Sequence, residues 1–201
     1  MCVIIRRMTW EEQKKELIER IKILLKEKDH VLVGIDGRCA SGKTTLGEEL
    51  HFILGGNLIH MDDFFLRPEQ RTVERYEEPG GNVDRERFEE EVLKPVKEGK
   101  DFSYRPFDCQ TMCLKKPVKV NEKKLVIVEG SYCLHPSLES FYDLKVFLDV
   151  DKDTQWKRIE KRNPDKLEAF HEKWIPYEEK YFKAFRIREN SDIVLNSENA
   201  F

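Results

Sequence analysis

Eight consecutive residues, Gly37-Arg38-Cys39-Ala40-Ser41-Gly42-Lys43-Thr44, restrict what this chain can fold into more than any other stretch. They match GxxxxGK[ST] in full. The string alone could be a glycine-rich turn with a solvated lysine, so its surroundings decide the reading. VLVGID (31–36) precedes it as an unbroken apolar run of buried-strand type, and TTLGEELHFIL (44–54) follows with helical spacing and stops at Gly55-Gly56. A strand before and a helix after give the setting of a phosphate-binding loop. Its glycines let successive N–H groups converge on phosphates, and the helix N-terminus adds partial positive charge. Lys43 is placed to reach the β and γ phosphates and Thr44 to put its hydroxyl on Mg²⁺. Residues 37–44 with Thr45 are the candidate nucleotide contacts, and ATP and Mg²⁺ the implied cofactors.

The remaining chain reads as strands alternating with helices. Thr9 and Glu12 have capping-box spacing, and Leu17, Ile18, Ile21, Leu24 and Leu25 predict an amphipathic helix to about Lys28. NLIHM (57–61), KLVIVEG (124–130), LKVFLDV (144–150) and DIVLN (192–196) read as further strands. Residues 66–83 show no period and read as a loop. Asp84 opens a helix with Phe88, Val92 and Val96 on one face, which Pro95 either bends or ends, and 102–120 reads as extended or hairpin-like. DTQWKRIEKRN (153–163) is helical, and Leu167 to Phe185 trace a long helical face with a kink expected at Pro176. Unbroken apolar strands between helices indicate α/β architecture with a parallel sheet covered on both faces. One domain over 1–201 is expected.

Composition narrows the partners. Lys plus Arg is 36 against 39 for Asp plus Glu, a formal charge of −3, so no basic field suggests nucleic acid. Five cysteines, at 2, 39, 109, 113 and 133, form no CxxC pair, which suits free thiols in a reduced, cytoplasmic setting. MCVIIRRMTW is too short an apolar run for a signal segment, and no run reaches membrane-spanning length. A homo-oligomer stays open.

Two carboxylates side by side, Asp62 and Asp63 in HMDDFFLRP (60–68), follow the second strand at the edge where parallel sheets gather ligands. A carboxylate there can take the proton of an attacking hydroxyl or bind the metal's water shell, and it can equally well cap the next turn. Glu129, ending LVIVE, stands where a carboxylate would support Mg²⁺, or is a polar strand end. Arg158 and Arg162 lie four apart, spaced as lid arginines closing over phosphates or as part of a solvated face.

GIDGRCASGKTTL, HMDDFFLRP, GGNVDRERF, VIVEGSYCL and the downstream basic helix together resemble the uridine kinase family, over about residues 31–196. DDFF followed by Arg-Pro is also similar to nicotinamide riboside kinases. The resemblance implies a P-loop NTPase fold of the nucleoside-kinase type, with a five-stranded parallel sheet between helices and a small helical lid at 153–165. It implies transfer of the γ-phosphoryl group of ATP to a primary hydroxyl of a small-molecule acceptor, such as the 5′-OH of uridine. It maps the catalytic base onto Asp62, the ribose-holding aspartate onto Asp84 in GGNVD, and the tyrosine near the nucleoside onto Tyr104 in YRPFD. Asp84 also reads as a helix N-cap and Tyr104 as a hairpin core residue. Asp63 sits where uridine kinases often have serine, and QTMCLKK lacks the histidine that family uses to read the base.

Overall fold

Thr9 and Glu12 form the reciprocal cap that their spacing predicts. The Glu12 N–H donates to the Thr9 hydroxyl, and the Glu12 carboxylate accepts the Thr9 N–H at 2.8 Å. They start helix α1 (Trp10–Glu27), whose Leu17 and Ile21 are fully buried. The computed structural model describes residues 8–200, so Cys2 and the rest of 1–7 lie outside the described residues, as does residue 201.

Among the described residues the strands are β1 (Val31–Gly37), β2 (Asn57–His60), β3 (Phe102–Tyr104), β4 (Phe107–Asp108), β5 (Cys113–Leu114), β6 (Val118–Val120), β7 (Leu125–Glu129), β8 (Leu144–Asp149) and β9 (Ile193–Asn196). Five of them form one parallel sheet in the order β2-β7-β1-β8-β9. The pairs β3–β6 and β4–β5 are antiparallel, which gives 102–120 its hairpin character.

Both faces of the sheet are covered, which is why its strands read as unbroken apolar runs. Val31, Val33, Ile35, Ile127 and Val146 pack with α1 and with Leu46 and Leu50 of α2 (Lys43–Leu54). Leu32, Val126, Val128 and Phe147 belong to a second core with Phe64, Phe88, Tyr181 and Phe182. Gly34 has to lack a side chain, because a Cβ there would come within 2.6 Å of Leu134 and 2.9 Å of the Tyr142 ring. No helix among the described residues is long and apolar enough to cross a membrane.

Two expectations need correction. Residues 66–83 are not periodless loop: they hold a 3₁₀ turn (Pro68–Gln70) and helix α3 (Val73–Glu77). This helix buries no residue, so no apolar period announces it. Polar ties hold the segment instead. Thr72 caps α3 by accepting the Arg75 N–H, and the Arg75 guanidinium donates to Gly81 O, Val83 O and the Glu86 carboxylate at 2.7–2.9 Å. The second correction concerns Pro95, which does not end its helix, one of the two outcomes read for it. Helical backbone runs through 85–97 and through 167–185, and each run widens into a π turn just before its proline, at Glu89–Leu93 and Phe170–Trp174. Lys94 N–H reaches back five residues to Glu89 O, and Ile175 N–H to Phe170 O. A proline ring lacks the N–H and crowds the carbonyl four residues back, and a wider turn relieves both problems without ending the helix.

Candidate active site

β1, at the centre of the sheet, delivers the chain into the Gly37–Thr44 loop, and α2 leaves it at Lys43. Gly37 (φ +144°) and Gly42 (φ +95°) take backbone conformations that favour glycine, and a Cβ on Gly37 would sit 2.1 Å from Leu148 O. The buried Lys43 ammonium spans the loop, donating to Gly37 O at 2.8 Å and Arg38 O at 2.9 Å. Ser41 Oγ is fully buried with no hydrogen-bond partner, an orphan polar atom inside the loop.

At the loop's exit the Thr44 hydroxyl donates to Glu129 Oε1 at 3.1 Å. The same oxygen lies 2.6 Å from His60 Nδ1, because the β2–β7 register sets His60 directly beside Glu129. That hydrogen bond raises the His60 pKa above its ordinary value, against partial burial. Thr44 and Glu129 are therefore brought together as the sequence suggests, with His60 as a third member.

Asp62 and Asp63 leave β2 in one 3₁₀ turn (Met61–Phe64) and acquire separate surroundings. Asp63 accepts the Tyr104 hydroxyl at 3.1 Å, while Arg87 donates to its main-chain carbonyl at 3.0 Å. Loss of surrounding water raises both carboxyls above the ordinary range. For Asp62, Lys43 opposes that rise, Glu129 and Glu178 add to it, and His60 pulls back. Asp62 stays exposed to solvent in the cleft. Neighbouring cations, Lys43 and His60 for Asp62, and His60, Lys115 and Arg87 for Asp63, offset the crowding of two like charges.

Asp84 is only 1% exposed. Its Oδ1 caps the following helix by accepting the Arg87 N–H, and its buried Oδ2 has no hydrogen bond, lying 3.4 Å from Arg87 Nε and 3.6 Å from Arg67 Nε. Tyr104 is a buried ring stacked on Phe64 as well as the donor to Asp63, so it is a core residue and a cleft residue together. The two arginines spaced as lid arginines would be, on the helix Lys152–Arg162, have separate surroundings. Arg158 braces the loop, donating to Ala40 O at 3.2 Å and Ser197 O at 2.6 Å, whereas Arg162 is exposed and bonds Asn163. The Arg38 guanidinium is engaged by Asp149 and Glu179.

Three residues around the loop escape a reading of the sequence. Buried Asp36 accepts the N–H groups of Gly37, Tyr132 and Leu134 and the Tyr181 hydroxyl at 2.7–3.2 Å. Burial pushes its carboxyl up to about 6 against those donors. A charge closing an apolar strand was the signal available for it. Gln155 donates to Cys39 O at 3.1 Å, and Glu178 accepts the Cys39 N–H at 2.8 Å. Both sit on helices dense in charge, where nothing sets them apart.

A parallel sheet with this loop at its central strand defines a P-loop nucleotide-binding α/β protein. A family model described as phosphoribulokinase / uridine kinase family matches residues 32–166, and the chain belongs to that family. A uridine kinase of Brevibacillus brevis is 27% identical over 142 residues, 64% of this chain and 64% of that protein. The tRNA-specific adenosine deaminase subunit tad2 of Schizosaccharomyces pombe is 34% identical over 134 residues, 63% of this chain and 32% of that protein. The matches thus span less than two thirds of these relatives' lengths. A solved structure from Bacillus stearothermophilus, described as a possible uridine kinase, shares the fold with a TM-score of 0.59 at 23% identity, covering 90% of this chain and 99% of that one.

The residues present fit the groups such loops hold. The N-terminus of α2, Lys43 and the orphan Ser41 hydroxyl suit phosphate oxygens. Thr44 and Glu129 are oxygen ligands of the type magnesium takes. Among the described residues no group of three or more His, Cys, Asp and Glu forms a metal cage, and magnesium commonly relies on one or two protein oxygens plus phosphates.

Proposed function

We propose that this protein is an ATP-dependent kinase that transfers the γ-phosphoryl group to a primary hydroxyl, foremost the 5′-OH of a nucleoside such as uridine. One observation carries the reading. Asp62 stands in the cleft within the electrostatic reach of Lys43, with its carboxyl raised above the ordinary range, while remaining open to solvent. Asp62 takes the proton of the acceptor hydroxyl as its oxygen bonds to the γ phosphorus and the bond to the β-phosphate oxygen breaks, leaving ADP. Lys43 balances charge on the transferred group, and Thr44 with Glu129 would hold magnesium, which when bound neutralises the phosphate oxygens. Tyr104 holds the Asp63 carboxylate through its hydroxyl. Positioning and electrostatics supply most of the acceleration.

The burial of Asp84 favours a second reading, in which the acceptor is another small alcohol such as a sugar or a vitamin precursor; nicotinamide riboside, the further alternative, carries the same ribose diol as uridine and gains nothing from it. A ribose diol would have to share Asp84 with its helix cap and with Arg67 and Arg87. ADP formation measured against a panel of nucleosides, nicotinamide riboside and sugars tests both. Acceptor-dependent ADP release supports the kinase and names its substrate. Hydrolysis that no acceptor stimulates makes the protein a nucleotide-hydrolysing regulator instead.

A further inference from the structure

One amide of the phosphate loop is held by a carboxylate from the chain itself. Glu178 Oε2 accepts the Cys39 N–H at 2.8 Å, and Glu178 Oε1 accepts the Ser131 hydroxyl at 2.6 Å. Glu178 is 5% exposed and belongs to the helix Ile175–Phe185. The next residue, Glu179, ties that helix to the loop again through Arg38 Nε at 2.7 Å. Glu178 also adds to the rise of the Asp62 carboxyl, so its charge is felt in the cleft that Asp62 and Lys43 share. A neutral glutamine could brace Cys39 and Ser131 equally well, without the cost of burying a charge. A carboxylate on a loop amide supplies the interaction a phosphate oxygen would supply, a charge-assisted hydrogen bond to the same N–H.

We propose that Glu178 is an internal counterpart of a terminal phosphate oxygen: it holds the Cys39 amide so that the loop takes a nucleoside diphosphate undisturbed and a triphosphate only against its charge. This rests on the phosphate-loop reading above. Glu178 is thus a positioning residue through its two hydrogen bonds and a discriminating residue through its charge. On the phosphate-loop reading the third phosphate of ATP would enter the surroundings that Asp62, Lys43 and Glu178 share and meet that charge, whereas ADP brings no phosphate there. In a kinase this bias weakens the hold on substrate nucleotide relative to product.

Calorimetric binding of Mg·ADP and of the Mg complex of a non-hydrolysable imido-bridged ATP analogue to the full chain tests the idea. Glu178→Gln keeps an oxygen for the Cys39 N–H and an amide group for Ser131, and removes the charge alone. The analogue should then bind about tenfold more tightly, while ADP affinity changes less than about twofold. Ser131→Ala keeps the charge and removes a hydrogen bond that offsets it, so the analogue should bind about threefold more weakly relative to ADP, a shift opposite in sign that decides the matter if Glu178→Gln fails to fold. An unchanged ratio of the two affinities, or equal shifts in both, reduces Glu178 to a structural brace and overturns the proposal while leaving the kinase reading in place. Failure of the wild-type protein to bind either nucleotide removes the phosphate-loop reading and this proposal with it.

Discussion

Replacing Asp62 by asparagine keeps the size of the side chain and removes its ability to accept a proton. The Asp62 carboxylate shares its cleft with the carboxylates of Glu129 and Glu178, both of which raise its pKa, so its charge is a net burden on the fold. Asp62→Asn should therefore leave the melting temperature unchanged or slightly higher, a stability effect within about 0.5 kcal/mol. Turnover should behave oppositely. General-base assistance contributes about 10²–10⁴-fold, so the transition state should lose roughly 2.7–5.5 kcal/mol. ADP affinity should be nearly unaltered, since the loop contacts of Lys43 and Thr44 do not run through Asp62. The sign of the pH dependence follows from the same surroundings. Asp62 works ionised, and its pKa lies above the ordinary 3.8, so kcat/KM should fall on acidification at a pH above that of a free aspartate. Steady-state kinetics across pH, calorimetric ADP binding and thermal unfolding of the same two proteins check all four statements. Turnover within tenfold of wild type, at any pH, refutes the assignment of Asp62 as base.

Other substitutions probe the supports around it. Tyr104→Phe removes the donor to Asp63 from a buried ring and should cost about 1.5–3 kcal/mol in chemical denaturation, with acceptor KM rising more than nucleotide affinity falls. Gly37→Ala sets a Cβ 2.1 Å from Leu148 O at a strained φ, and calorimetry should detect no ADP binding. His135 is buried between Tyr181 and Phe185, and burial depresses its pKa from 6.5 to about 4. The unfolded chain then takes up a proton between those values that the fold refuses, so stability falls as pH drops from 6.5 towards 4. The loss is about 2–3 kcal/mol after allowing for residual solvent screening, and urea titrations of His135→Gln should lose that slope.

The elements legible in the sequence are those whose stabilisation is local or periodic. The Thr9–Glu12 cap, the apolar strands and the glycine-bounded loop each carry their cause within a few residues. Helix α3 is illegible because its own Arg75 secures it to carbonyls outside the helix, six and eight residues further on. Arg158 and Arg162 share a helical face by spacing, yet only the tertiary approach of Ala40 and Ser197 divides their roles. Asp84 and Tyr104 show a different limit. The cap read for Asp84 and the core position read for Tyr104 are both present, and the Tyr104 hydroxyl reaches Asp63 besides. Glu178 sits in a run, Tyr177-Glu-Glu-Lys180, that any surface helix could carry, and only folding brings it to Cys39.

The π turn at Phe170–Trp174 carries one residue more than a regular helical turn. That surplus sets the angular phase of everything downstream. Deleting a single residue there would restore the regular winding and rotate Glu178, Glu179 and Tyr181 by roughly 100° about the helix axis. Three unrelated anchors, on Cys39, Arg38 and Asp36, would slip at one stroke. The stretch thus behaves like the timing mark on a camshaft: its length, more than its side chains, keeps the C-terminal helix in step with the nucleotide loop.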